Sequence, residues 1–193
     1  PNKLQALKDY RLVIEYKHMR QHAPGGVFVI PSVNHLRLWY GVIFVRRGHY
    51  ANGTFKFRVE LPPEYNDVGT WPRLIFSSQV FNPLVDSRTG ELDLHAFFPE
   101  WNPGKHYLVN ALTYLKKVFY MKDFDAFPSP PNPEAASLFK SDKRGFLDRV
   151  EACVRASQEA VYENDPGSSL RFTEPKPAHE TLRERILGPE APA

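Results

Sequence analysis

The sequence predicts an α+β fold in which an antiparallel sheet is covered by helices. Three observations predict it. A helical period opens the chain, four short runs rich in β-branched and aromatic residues follow, and helical periods alone come after them. Strands grouped ahead of helices can pair through short connections, whereas parallel strands would need a crossover helix between each pair.

Residues Lys3–His22 carry apolar side chains at Leu4, Leu7, Tyr10, Val13 or Ile14, and Met19, with charged residues between them. That spacing predicts an amphipathic helix turning those residues inward, ended by Pro24-Gly25-Gly26. Runs at 27–30, 36–46 and 54–61 read as strands, the last two joined by a connection whose Asn52-Gly53 supplies positive φ cheaply. Phe55, Phe57 and Val59 alternate with Lys56, Arg58 and Glu60, which predicts one face inward and one wet. A proline loop leads to a fourth strand, Arg73–Phe76. Residues 81–104 keep no clean period, and so long an irregular stretch in a compact domain usually carries function. Helices are expected at 105–120 (Leu108, Leu112, Leu115 and Phe119 on one stripe), at 133–139, and at 142–163 with Phe146, Val150, Cys153, Val154 and Val161 inward. A loop at 164–178 precedes a last short helix at 179–187. Residues 1–163 are therefore assigned to one domain and 164–193 to an extension whose helix docks on that domain or on a partner.

The chain has 193 residues, 42% hydrophobic and 13% aromatic, enough for a real core. Its 25 Lys plus Arg stand against 22 Asp plus Glu, scattered rather than striped. That argues against a nucleic-acid partner. The longest apolar run is ten residues, Leu36 to Val45, half of what a membrane-spanning helix needs. A single cysteine, Cys153, permits no internal disulfide and no thiolate zinc cluster. It falls on an apolar helix stripe, where a thiol is inert. His35, His49, His95 and His106 show no metal-ligand spacing, so surface or capping roles are expected and neither metal nor cofactor is assigned. The start at Pro1 implies that an N-terminal piece is absent.

Six segments in register carry a resemblance. Leu61-Pro62-Pro63-Glu64-Tyr65, then Trp71-Pro72-Arg73-Leu74-Ile75-Phe76, resemble a strand, proline loop and strand of ubiquitin-conjugating enzymes. Phe81-Asn82-Pro83-Leu84-Val85 stands where that family has Phe-His-Pro-Asn-Val/Ile. Gly90-Glu91-Leu92-Asp93-Leu94 stands where it has Gly-x-x-Cys-Leu, and Trp101-Asn102-Pro103 where it has Trp-x-Pro. Pro131-Asn132-Pro133-Glu134-Ala135-Ala136 is similar to the stretch before its third helix. The resemblance implies the ubiquitin-conjugating fold over residues 3–163, with Asp93 replacing the nucleophilic cysteine, Leu84 the oxyanion-stabilising asparagine and Asn82 the histidine. A carboxylate cannot hold a thioester, so no catalytic residue is expected.

Within the inactive branch, the chain is similar to the Fused Toes (AKT-interacting protein) family. The similarity lies in Leu38-Trp39-Tyr40-Gly41-Val42-Ile43-Phe44-Val45-Arg46 with Gly48 and Tyr50, and in the Leu84 and Asp93 replacements. It implies a cytoplasmic scaffold that joins a Hook-family coiled-coil protein and an FHIP-family protein, linking early endosomes to dynein-driven microtubule transport, with an AKT-type kinase as a further partner. The alternative it leaves open is a ubiquitin-binding variant that assists an active conjugating enzyme. Candidate partner contacts are Trp71 and Trp101, each either a lid over the core or an anchor, and Leu182 and Ile186 on the last helix.

Overall fold

The computed structural model describes residues 3–188, with the side chains of Leu4, Gln5 and Leu187 outside what is described. Helix α1 (Lys3–His22) leads into strands β1 (Val27–Pro31), β2 (Leu38–Phe44), β3 (Thr54–Glu60) and β4 (Arg73–Phe76). Helices α2 (Leu108–Val118), α3 (Pro133–Ser141) and α4 (Lys143–Glu159), a 3₁₀ turn (Ala160–Tyr162) and helix α5 (Pro177–Leu187) follow. The strands pair antiparallel in the order β1-β2-β3-β4. The α+β expectation holds, and Asn52 takes the positive φ of 68° that the β2–β3 connection required.

Register puts Trp39, Ile43, Phe55, Phe57, Val59, Leu74 and Phe76 on the sheet's inner face, all buried. Gly41 belongs to that face because a Cβ there would meet the Phe57 ring at 2.4 Å. The stripe Leu108, Leu112, Leu115 and Phe119 is buried as its spacing predicted, with Phe119 stacked on Phe55 at 5.0 Å. Helix α2 begins three residues later than its pattern suggested. The Asn102 carbonyl takes the N–H groups of Lys105 and His106, and Asn110 Oδ1 caps the Tyr107 N–H at 2.8 Å. Asn132 and Asp142 cap α3 and α4 by accepting from Ala135 and Gly145.

Two faces differ from expectation. Helix α1 turns Leu12, Glu15 and Met19 inward and leaves Leu7, Tyr10, Val13 and Ile14 exposed. Leu12, Glu15 and Met19 share the same helical spacing, and Glu15 wins an inward place through polar partners that apolar counting ignores. Its carboxylate accepts from the Tyr65 hydroxyl at 2.9 Å and from the Leu108 N–H at the start of α2. Anionic charge at a helix N-terminus is favourable. Glu15 thus ties α1, the proline loop and α2 together.

The sheet's outer face is wet only in part, with Phe28, Arg58 and Glu60 still reaching solvent. Tyr40, Val42, Lys56 and Ile75 are all buried there, Lys56 at 8% exposure. Residues 161–172 run across it. Lys56 Nζ donates to the carbonyls of Val161 (2.6 Å) and Glu163 (2.5 Å), and Ser77 Oγ donates to Asp165 at 2.6 Å. Phe172 packs edge-on against Phe44, held by Asn164, which both donates to and accepts from its backbone. The alternation in β3 reported the pleat correctly, but it could not report what chain would later cover the polar side.

Candidate functional site

The irregular segment 81–104 is held as a shaped cleft beside β4. Residues 90–93 run along that strand. Phe76 N–H donates to Gly90 C=O (2.8 Å) and Leu92 N–H to Leu74 C=O (2.9 Å). Gly90 has φ of 73°, and a Cβ there would strike the Phe76 carbonyl at 2.5 Å, so the turn needs glycine. Asp86 Oδ1 accepts from the N–H groups of Arg88 and Thr89, and these bonds hold its carboxyl below the usual range. An aspartate accepting from the N–H groups two and three residues on is Asx-turn chemistry.

The three positions singled out by register lie together. Asp93 N–H donates to the Leu84 carbonyl at 2.9 Å, and Asn82 Oδ1 accepts from Leu84 N–H at 3.0 Å. Only Asp93 reaches the cleft, half-buried, with its Oδ1 accepting from Ala96 N–H at 3.2 Å. Leu84 is fully buried. Asn82 is fully buried too, donating to Tyr50 Oη and to the Val118 carbonyl, both at 3.1 Å. Trp71, Arg73, Asp86, Glu91, Asp93, His95 and Pro131 enclose about 310 Å³. Trp71 lies 4.4 Å from the His95 ring and donates its indole N–H to the Phe98 carbonyl. Arg73 bridges Glu60 and Glu91 at the mouth.

Trp101 is not an anchor. It is fully buried, with its indole N–H on Asn66 Oδ1 at 2.9 Å and Tyr65 and Phe98 against its ring. The lid reading prevails because Trp101 closes the core between the proline loop and Phe98 with His106. Trp71 stays half-buried at the cleft. Leu182 and Ile186 are exposed at 52% and 70%, as are all described side chains of α5. Cys153 is 8% exposed, its thiol on the Gln79 carbonyl at 3.2 Å, and burial pushes it up to about 11. It does not line the cleft. Among the described residues no group of three His, Cys, Asp or Glu could hold a metal, and no helix is long and apolar enough to cross a membrane. Among the described residues, two buried donors have no partner, the Tyr114 hydroxyl and Asn132 Nδ2.

Sequence reasoning missed Glu15, Lys56 and a basic cleft formed by Arg46, Arg47 and Lys116. The only signal was a charged residue at an apolar position for Glu15. The other two depend on contacts between distant segments.

A helix, a four-strand meander, a shaped cleft after β4 and closing helices define the architecture of ubiquitin-conjugating enzymes. The family model for ubiquitin-conjugating enzyme matches residues 11–154. The chain is 36% identical over 172 residues to the AKTIP homolog of Nematostella vectensis, covering 88% of this chain and 56% of that protein. To the crossbronx homolog of Culex quinquefasciatus it is 37% identical over 162 residues, 83% of this chain and 70% of that one. To the human AKT-interacting protein it is 36% identical over 189 residues, 95% and 63% respectively. The chain belongs to this AKT-interacting protein and crossbronx family, on a ubiquitin-conjugating-enzyme domain. It spans only 56% of the Nematostella relative and 63% of the human one.

Proposed function

We propose that the chain is a non-catalytic adaptor built on the conjugating-enzyme domain. The carrying observation is Asp93, whose carboxylate stands in the cleft where the family's motif has its thiol. A carboxylate cannot accept ubiquitin as a thioester, and the chain's one thiol is buried elsewhere. Leu84 offers no donor to a developing oxyanion, and Asn82 has both amide hydrogens engaged in the core.

The adaptor reading is supported by family membership and by two unpartnered apolar stripes, Leu7, Tyr10, Val13 and Ile14 on α1 and Leu182 with Ile186 on α5. Apolar stripes at helical spacing fit coiled-coil or groove partners. The partners proposed are a Hook-family coiled-coil protein and an FHIP-family protein, in a cytoplasmic complex that links early endosomes to dynein-driven transport. The relatives' name, AKT-interacting protein, adds an AKT-type kinase as a candidate. Incubation with activating enzyme, ATP and ubiquitin should give no thiol-reducible adduct. Recovery of the endogenous full-length protein should bring down the Hook and FHIP partners. An adduct would overturn the non-catalytic reading, and absence of both partners would overturn the adaptor reading. Titration with labelled ubiquitin separates this from a variant that assists an active enzyme, which should bind.

A further inference from the structure

A second cleft shares no lining residue with the cleft at Asp93. The Gly25–Gly26 turn, Phe44, Arg46 and Arg47 at the end of β2, and Lys116 and Tyr120 at the end of α2 enclose about 470 Å³. That volume lies in the range of small-molecule sites. The walls are fixed by the fold. Gly26 has φ of 88° and sits so close to β2 that a Cβ would meet the Phe44 carbonyl at 2.9 Å. Lys116 Nζ is tethered to the Gly25 carbonyl at 2.7 Å, so its charge is placed at the rim rather than swinging in solvent. The connection holding Arg46 and Arg47 is braced by Asn52 N–H on Val45 C=O and by Ala51 N–H on Gly48 C=O.

Sign separates this cleft from two others. The cleft at Asp93 mixes Arg73 with Asp86, Glu91 and Asp93, and the groove beside α1 mixes Lys8, Arg11 and His18 with Glu15. The Gly25–Gly26 cleft has three full positive charges and no carboxylate in its lining. Among the described residues, Arg46, Arg47 and Lys116 take part in no ion pair. The C-terminal end of α2 opposes an anion by roughly half a charge. Three cations outweigh it, and a concave one-sign lining concentrates their field. Two adjacent guanidinium groups present forked donors that match phosphate oxygens.

We propose that this cleft binds a phosphate-bearing ligand, held by Arg46, Arg47 and Lys116, as a free organic phosphate or as a phosphorylated lipid headgroup. The inference goes beyond the adaptor reading and stands without it. The test uses the full chain with inositol hexakisphosphate as the free probe. Phosphatidylcholine vesicles with and without phosphatidylinositol bisphosphate are the lipid arm. Binding should weaken as salt rises, and amide shifts should centre on Gly25, Gly26, Arg46, Arg47 and Lys116. The pair Arg46→Gln with Arg47→Gln should weaken binding about tenfold or more, with unchanged thermal unfolding. The pair Arg88→Gln with Lys105→Gln removes the same charge elsewhere and should leave affinity nearly intact. Binding of the free probe alone assigns a soluble ligand, and binding of the charged vesicles assigns a headgroup. No binding of either probe, equal weakening by both pairs, or shifts centred on Lys8 and Arg11 would overturn the proposal.

Discussion

Replacing Lys56 with Met should release residues 161–172 from the sheet while leaving the domain folded. Met keeps the apolar stem that crosses the outer face and removes only the ammonium. Two bonds to the Val161 and Glu163 carbonyls are lost. Bonds from a charged donor are worth roughly 1.5–3 kcal/mol each, so about 3–6 kcal/mol of gross attraction disappears. Relief from burying an ammonium returns part of that, several kcal/mol at most. The net expected is about 2 kcal/mol, a factor of roughly thirty in an opening equilibrium. The loss falls on opening rather than unfolding because the freed carbonyls can reach water only if the segment lifts. Lifting also regains roughly 1–2 kcal/mol of backbone entropy per residue. Hydrogen exchange read by NMR should show the Ser168, Leu170 and Phe172 amides exchanging about thirtyfold faster. Amides of Val42 and Phe57 in the sheet should change little. If strap and sheet amides accelerate together, or neither does, Lys56 is not a separate latch and the reasoning fails.

Glu15→Ala should cost about 2–5 kcal/mol in urea unfolding, since it strands the Tyr65 hydroxyl and the Leu108 N–H in the core; Glu15→Gln keeps an acceptor and should cost far less. Burial raises the Glu15 carboxyl above its ordinary value, its hydrogen bonds only partly offsetting this. The folded state therefore takes up that proton before the unfolded state does. The Glu15 contribution should grow as pH falls from neutral through its raised value and level off below the ordinary glutamate range. A pH series in which wild type and Glu15→Gln show the same slope would refute this. Trp101→Ala should cost about 3–5 kcal/mol, and Trp71→Ala distinctly less, measured by the same unfolding curves. Cys153 should resist iodoacetamide in the native protein, while the thiol of Asp93→Cys should alkylate readily at mildly alkaline pH. Mass spectrometry of the two products decides it.

Much of the fold was readable because short-range rules governed it. The Leu108, Leu112, Leu115 and Phe119 stripe and the Asn52-Gly53 connection each depend on neighbours within a few residues. The cleft was readable for another reason. Gly90 is forced by a carbonyl 2.5 Å from where its Cβ would sit, so its place in the motif fixes the register that carries Asp93 to Leu84. What stayed hidden involves partners distant in sequence. Glu15 meets a residue ninety-three positions away, and Lys56 residues 105 and 107 away. No period computed along α1 or β3 contains those contacts. Trp101 shows the same limit, since a tryptophan in a loop reads alike whether Asn66 waits for its indole N–H or a partner does.

The adaptor reading rests on how the cleft's side chains are occupied. An acyl-transfer site needs donors aimed at a place where charge will develop, and so left unsatisfied in the resting protein. Asn82 is the opposite case. Its two amide hydrogens join Tyr50 and Val118, its oxygen holds the Leu84 N–H, and no solvent reaches it. Tyr50 in turn donates to the Phe81 carbonyl at 2.6 Å, so these five residues form one network that anchors the segment to the β2–β3 connection and α2. A neutral histidine at Asn82 has one ring N–H to donate and one nitrogen to accept, so it would lose at least one of the three bonds that Asn82 makes. Restoring an asparagine at Leu84 would bury an amide in an apolar site. On the adaptor reading, Asn82 and Leu84 serve as structural supports for the cleft's shape. That is the arrangement expected where the shape, rather than a reaction, is what partners use.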